Sequence, residues 1–239
     1  LSLTADAIEK ILELAPIEQV VLNGLTYQTK QLYLRSEPQP KVFTTQTLVS
    51  LVELIQKEHG HGRLNDLIIH VAEPTSVDVY STLREDLGRF HIYRADAELP
   101  YQDFGQYRDL EKMVINLKST FVQSESRDEL VKLLGSITEE AVKTSTDDGI
   151  SQTVTAKTGI ATVGKVPVNP IQLLAPYRTF VEVNQPESEF LLRLQNGPRA
   201  ALFEADGGAW KMKARANIKA YFEDKLADLI SLGSVVVTE

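Results

Sequence analysis

LIIHVAEPTSVDVYSTLREDLGRFHIYRAD, residues 67–96, holds three short runs rich in β-branched and aromatic side chains: Leu67 to Val71, Ser76 to Leu83 and Phe90 to Ala95. Glu73-Pro74 and Asp86-Leu87-Gly88 interrupt them, and both are turn signals. Short strands broken by turns predict an antiparallel meander. Strands that follow one another, without a helix between each pair, exclude a doubly wound parallel sheet and make the fold class α+β.

Upstream of this run, Leu48, Leu51, Val52 and Ile55 recur at helical spacing, with Thr44 or Thr45 as the expected cap and His59-Gly60 as the stop. Before it, Glu37-Pro38-Gln39-Pro40 reads as a loop, and Gln19 to Arg35 as a hairpin turning at Asn23-Gly24. Thr4 caps a first amphipathic helix with Ile8, Ile11, Leu12 and Ala15 on one face, stopped by Pro16.

Downstream, the period returns to 3.6 between Tyr107 and Lys143. Leu110, Met113, Val114 and Leu117 form one stripe; Leu130, Val131, Leu133, Leu134 and Ile137 form another, with Ser126 and Glu129 as a capping box between them. After Asp147-Asp148-Gly149 the pattern becomes β, with strands at Gln152 to Ala156, Ile160 to Val168 and Leu173 to Val183. A hairpin joins Phe190 to Leu194 with Ala200 to Phe203 through Gln195-Asn196-Gly197-Pro198. A last helix is expected from about Lys213 to Leu229, and Ser234 to Thr238 as a terminal strand that completes a sheet in this chain or in a neighbour. The expected organisation is an N-terminal mixed α/β unit with antiparallel strands and a central helix pair, residues 1–146. A C-terminal antiparallel β unit closed by a helix follows, residues 147–239.

Composition narrows the function classes. The 239 residues carry 25 Lys and Arg against 33 Asp and Glu, a net charge of −8 that disfavours a protein devoted to neutralising nucleic-acid phosphates. Cysteine is absent, which removes disulfides, thiolate nucleophiles and thiolate metal sites. No apolar run reaches the roughly 18 residues of a membrane span, and the acidic first helix is unlike a signal peptide.

Catalytic fingerprints are also missing. Gly-x-Ser-x-Gly, Walker and dinucleotide motifs do not occur, so no catalytic residue and no cofactor is assigned. His59 and His61 flank a glycine but have no third ligand at helical spacing, and His70 and His91 fall in strands. No metal site is assigned. Asp147-Asp148-Gly149 and Glu204-Ala205-Asp206-Gly207-Gly208 cluster carboxylates, yet each contains the Asp-Gly step of a tight turn. One basic patch stands out: Arg199, Lys211, Lys213, Arg215 and Lys219 around Trp210, the chain's sole tryptophan. Its nucleic-acid reading stacks a base on Trp210 and sets phosphates on Arg199, Lys211, Lys213 and Arg215; its structural reading packs Trp210 under the last helix.

Three runs are distinctive as words: Ala175-Pro176-Tyr177-Arg178-Thr179-Phe180, Gln185-Pro186-Glu187-Ser188-Glu189-Phe190 and Ala201-Leu202-Phe203-Glu204-Ala205-Asp206-Gly207-Gly208-Ala209-Trp210. With Phe121-Val122-Gln123 and Asp147-Asp148-Gly149-Ile150-Ser151-Gln152, they resemble an uncharacterised bacteriophage and prophage family, domain of unknown function 2303, over about Tyr107 to Tyr221. The resemblance implies a setting, the bacterial host cytoplasm or a virion, and carries no active-site motif. The leading expectation is therefore a non-enzymatic protein acting by homo-oligomeric self-assembly, as a ring or closed shell, or by binding a host partner. A nucleic-acid or nucleotide-binding accessory protein is the alternative. A metal-dependent hydrolase using Asp147, Asp148, Glu204 and Asp206 is the third reading.

Overall fold

The computed structural model describes residues 4–16, 19–22, 25–28, 40–60, 66–84, 87–144, 152–157, 163–195 and 197–239. The chain forms two compact units, Leu1–Gln39 and Pro40–Glu239. In the first, Thr4 Oγ1 accepts from the Ala7 N–H (3.3 Å) and opens α1 (Ala5–Leu14), as its spacing predicts. An antiparallel hairpin, β1 (Gln19–Leu22) and β2 (Leu25–Gln28), follows. Asn23, Gly24, Leu32 and Leu34 lie outside the described residues.

The second unit is α+β, as the meander requires. Its first sheet contains β3 (Phe43–Thr45), β4 (Leu67–Glu73), β5 (Ser76–Ser81) and β6 (His91–Asp96), with α2 (Leu48–Gly60) between β3 and β4. The β4-β5-β6 core is the antiparallel meander. Alternation in β4 decides its faces: Leu67, Ile69 and Val71 turn into the core, while Ile68 and His70 face outward. The cap of α2 is only partly local. Thr44 and Thr45 belong to β3, Thr47 Oγ1 accepts from the Ser50 N–H (3.2 Å), and Glu182, 134 residues further along the chain, takes the Leu48 N–H at 2.8 Å.

Next come β7 (Arg108–Asp109), α3 (Leu110–Thr120), α4 (Glu125–Ser136), β8 (Ile137–Thr144), β9 (Gln152–Lys157), β10 (Val163–Val168) and β11 (Ile171–Leu174). Asp109 caps α3 and Ser124 caps α4, the latter by accepting from the Arg127 N–H; the expected Ser126 box lies one residue inside the helix. The helical period was expected to run on to Lys143, but α4 stops at Ser136. From Ile137 onward the chain pairs antiparallel with β9, because a partner strand satisfies its backbone and β-branched residues favour that geometry. The third C-terminal strand is likewise shorter than expected. It ends at Leu174, and Pro176, which has no N–H to extend a ladder, makes only an isolated bridge with Phe121.

The chain closes with β12 (Ser188–Gln195), β13 (Arg199–Glu204), α5 (Trp210–Lys225), α6 (Ala227–Ser231) and β14 (Val235–Thr238). β12 and β13 form the expected hairpin and sit in a four-stranded sheet of order β11-β12-β13-β7. β14 completes a sheet of its own chain: it runs parallel to β4, giving the order β14-β4-β5-β6-β3. A third sheet has the order β10-β9-β8, with Pro167 on its edge strand, where a missing donor is tolerated.

Two cores fill the second unit. Leu48, Leu51, Ile55, Ile69, Val79, Ile218 and Phe222 build one between the five-stranded sheet, α2 and α5. Leu117, Phe121, Leu130, Phe190, Leu192 and Leu202 build the other between the four-stranded sheet, α3 and α4. α5 and β14 complete the core of the meander that lies early in the chain, so both ends of the unit Pro40–Glu239 share one core. Among the described residues, no helix is long and apolar enough to cross a membrane.

Candidate binding site at the Arg178 node

The loop between β11 and β12 is built around one amide. Gln185 accepts the Arg178 and Thr179 N–H groups through Oε1 (2.9 and 3.1 Å) and donates through Nε2 to the carbonyls of Thr179, Phe180 and Val183. A single side chain so satisfies a backbone that has no strand partner. Phe180 enters the first core, Thr179 Oγ1 donates to the Pro74 carbonyl (2.5 Å), and the Tyr177 N–H reaches the Thr120 carbonyl (2.9 Å). The loop is therefore tied to both halves of the unit, and Arg178 is held between them.

Arg178 is 6% exposed. Nη1 donates to Glu204 Oε1 at 2.7 Å and Nη2 to Ser188 Oγ at 2.5 Å, while the guanidinium carbon lies 4.1 Å from the centroid of the Trp210 ring. Its Nε is buried without a hydrogen-bond partner among the described residues. Burial pushes the guanidinium pKa down, and the carboxylates of Glu204 and Asp206 oppose that shift. The charge stays: an arginine this far from neutrality keeps its proton, and the ion pair and the indole face hold it.

Trp210 is placed by the turn before it. Gly207 and Gly208 adopt φ of +62° and +84°, a conformation that side chains bearing a Cβ resist. Asp206 accepts the Gly208 N–H (3.0 Å) and the Trp210 N–H (3.2 Å), and so covers the first turn of α5. The helix begins three residues earlier than its apolar spacing predicts, which puts Trp210 and Lys211 on the helix itself.

Beside this node lies an open surface cleft of about 410 Å³. Leu99, Pro100, Phe104 and Tyr177 supply apolar and aromatic wall; Gln102, Arg178, Glu204 and Lys211 supply polar groups, and Trp210 joins the two. Phe104 rests on Phe121 and Phe190, with ring centroids 6.3 and 5.0 Å apart, so the wall is continuous with the second core. An open cleft with an aromatic wall and a few polar groups suits a flat guest laid against that wall.

The residues of the predicted basic patch do not converge. Trp210 and Lys211 line this cavity. Lys213 and Arg215 line a different, open depression with Met212 and Glu239. Arg199 begins β13, at the opposite end of that strand from Glu204, and donates to the Tyr107 carbonyl at 2.7 Å. Arg178, Tyr177, Phe104 and Gln102 were not singled out as site residues. A signal is present in Arg178, a cation flanked by the apolar and aromatic residues Leu173 to Tyr177 and Phe180 to Val181, since a buried arginine must be paired. The three distinctive words of the sequence meet here: Tyr177 and Arg178, Ser188 and Phe190, and Glu204 to Trp210 surround one node.

The carboxylates of the hydrolase reading are engaged otherwise. Glu204 binds Arg178 and Asp206 caps the turn, while Asp147, Asp148 and His61 lie outside the described residues. Among the described residues, no three His, Cys, Asp or Glu side chains are grouped to hold a metal ion. His59 sits in the last turn of α2, His70 meets Thr238 Oγ1 at 3.3 Å, and His91 Nε2 lies 2.9 Å from Asp78. Comparison of the chain with protein-family models, curated proteins and solved structures returns no match. What the fold and cavity define is a class: an α+β protein with an aromatic-walled cleft at the end of an antiparallel sheet.

Proposed function

We propose that this is a non-enzymatic protein of a bacteriophage or prophage, working in the bacterial host cytoplasm or the virion by assembling with copies of itself into a ring or closed shell. The observation that supports it is the N-terminal unit. Ile8, Ile11 and Leu14 of α1 and Val21 of β1 are each about half exposed or more. An amphipathic helix with such a face gains from association. Light scattering during size exclusion tests the reading. The chain should elute at a multiple of 26.6 kDa, and Ile8→Asp with Ile11→Asp should reduce that multiple. A 26.6 kDa particle at micromolar concentration rejects it.

A second reading, a nucleotide or nucleic-acid accessory role, is favoured by a different observation: Trp210, Lys211 and the buried Arg178 border one cavity. Stacking on an indole with a cation beside it suits a base and its phosphate. Retention of single-stranded DNA that weakens steeply with salt is expected, and it should fall in Trp210→Ala and Lys211→Ala. Retention unchanged by both substitutions removes the site.

A further inference from the structure

We infer that the cavity at Arg178 selects a guanine base, stacked on Trp210 with its Watson–Crick edge on the Glu204 carboxylate and its phosphate toward Lys211. The inference rests on the nucleotide reading above and names the base within it. Three features carry it. The first is the acceptor. Glu204 spends Oε1 on Arg178, but its side chain is 42% exposed and lines the cavity, so the carboxylate keeps lone pairs for a guest. A carboxylate only accepts, and it is best matched by two adjacent donors. Guanine offers N1–H beside its N2 amino group; adenine and cytosine set a ring acceptor next to one amino group, and uracil and thymine flank one N–H with two carbonyls.

The second feature is the aromatic wall. Arg178 covers one face of the indole at 4.1 Å, and the half-buried Trp210 also borders the cavity together with Tyr177 and Phe104. A flat heterocycle gains most from such a wall. The third is charge. Glu204 is already paired with Arg178 and Lys211 adds a further cation to the lining, so a cationic guest is disfavoured even though aromatic rings and a carboxylate would otherwise suit one. Lys211 follows Trp210 in the first turn of α5. Asp206 already takes the Trp210 and Gly208 N–H groups, so the phosphate is left to the lysine.

Trp210 is the chain's sole tryptophan, so tryptophan emission reports this cavity alone. Titration of the full chain with GMP should quench it saturably, with AMP, CMP and UMP at least about tenfold weaker. Glu204→Gln should bring the GMP to AMP ratio close to one. Lys211→Ala, an exposed position, should reduce GMP to the affinity of guanosine while the melting temperature holds, which keeps the test open if Glu204→Gln unfolds. Oligothymidylate with and without one guanine separates the sources: strand binding dependent on that guanine supports a nucleic-acid guest, and GMP binding alone supports a free nucleotide. Equal quenching by GMP and AMP overturns guanine selection and leaves the nucleotide reading standing. A GMP preference that survives in Glu204→Gln overturns the assignment of the edge. Failure of every nucleotide and oligomer to quench overturns both.

Discussion

Asp78 and Arg178 are both buried charges in the unit Pro40–Glu239, and they sit in contrasting places. Asp78 lies mid-strand on the outward side of the five-stranded sheet, with His91 Nε2 at 2.9 Å and Arg94 Nη1 at 3.4 Å, and Tyr80 stacked on His91 at 4.8 Å. Arg94 has a second partner, Asp96, at 2.9 Å. Arg178 lies on a loop at the end of the four-stranded sheet, between Glu204, Ser188 and Trp210, beside a cavity. Cross-strand neighbours close over Asp78, so its pairing is used up in joining strands. Around Arg178, chain segments from three places meet without closing, and the space left is concave. A buried charge becomes part of a site where the groups that neutralise it also wall a space.

The largest effect that would break this contrast lies beneath the cavity. Phe190 is fully buried, packs on Phe104 and Phe121, and lies 5.6 Å from the Arg178 guanidinium. Phe190→Ala should cost about 3–5 kcal/mol in urea unfolding. Arg178→Ala should follow, at about 2–4 kcal/mol, because Ser188 loses its partner in a buried place and Trp210 loses its support, while Glu204 regains water. Asp78→Asn should be milder, about 1 kcal/mol, since Arg94 is 40% exposed and keeps Asp96. A larger loss for Asp78→Asn than for Arg178→Ala would reverse the comparison. The smallest effect is acid sensitivity away from both charges. The backbone N–H of Lys112 holds the Asp109 carboxyl below its ordinary value of 3.8, and the Arg127 guanidinium does the same for Asp128. A lowered native pKa adds stability that is complete above the ordinary value and is lost as pH falls through the lowered one. Thermal melting from pH 5 downward should therefore fall more steeply in the parent than in Asp109→Asn with Asp128→Asn, the parent starting the more stable and the two curves converging below about pH 4.

Local signals in the sequence reach some parts of this molecule and stop at others. Thr4 opening α1, the meander from Leu67 to Asp96 and the hairpin across Gln195 to Arg199 each follow from residues within a few positions of one another. Trp210 and Lys211 were legible as a candidate site because an indole beside cations is unusual in any stretch. Arg199, Lys213 and Arg215 shared that stretch, but they point elsewhere: side chains along a strand or helix diverge by face, and a linear patch need not be a spatial one. Arg178 was hidden for the opposite reason, since Glu204 is 26 residues and Ser188 10 residues away from it.

By itself the sequence determined the α+β class, the β character of the runs that become β4 and β12, and the turn at Asp206-Gly207-Gly208, because composition and turn chemistry act over a few residues. Only the tertiary structure decided that Glu182 caps α2, that β14 lies beside β4, and that Arg178 is buried between Glu204 and Trp210. Each of these pairings satisfies a backbone edge or a desolvated charge with a group from a distant part of the chain. Such a partner is chosen by which surfaces the two cores bring together, and no window of sequence contains both halves of it.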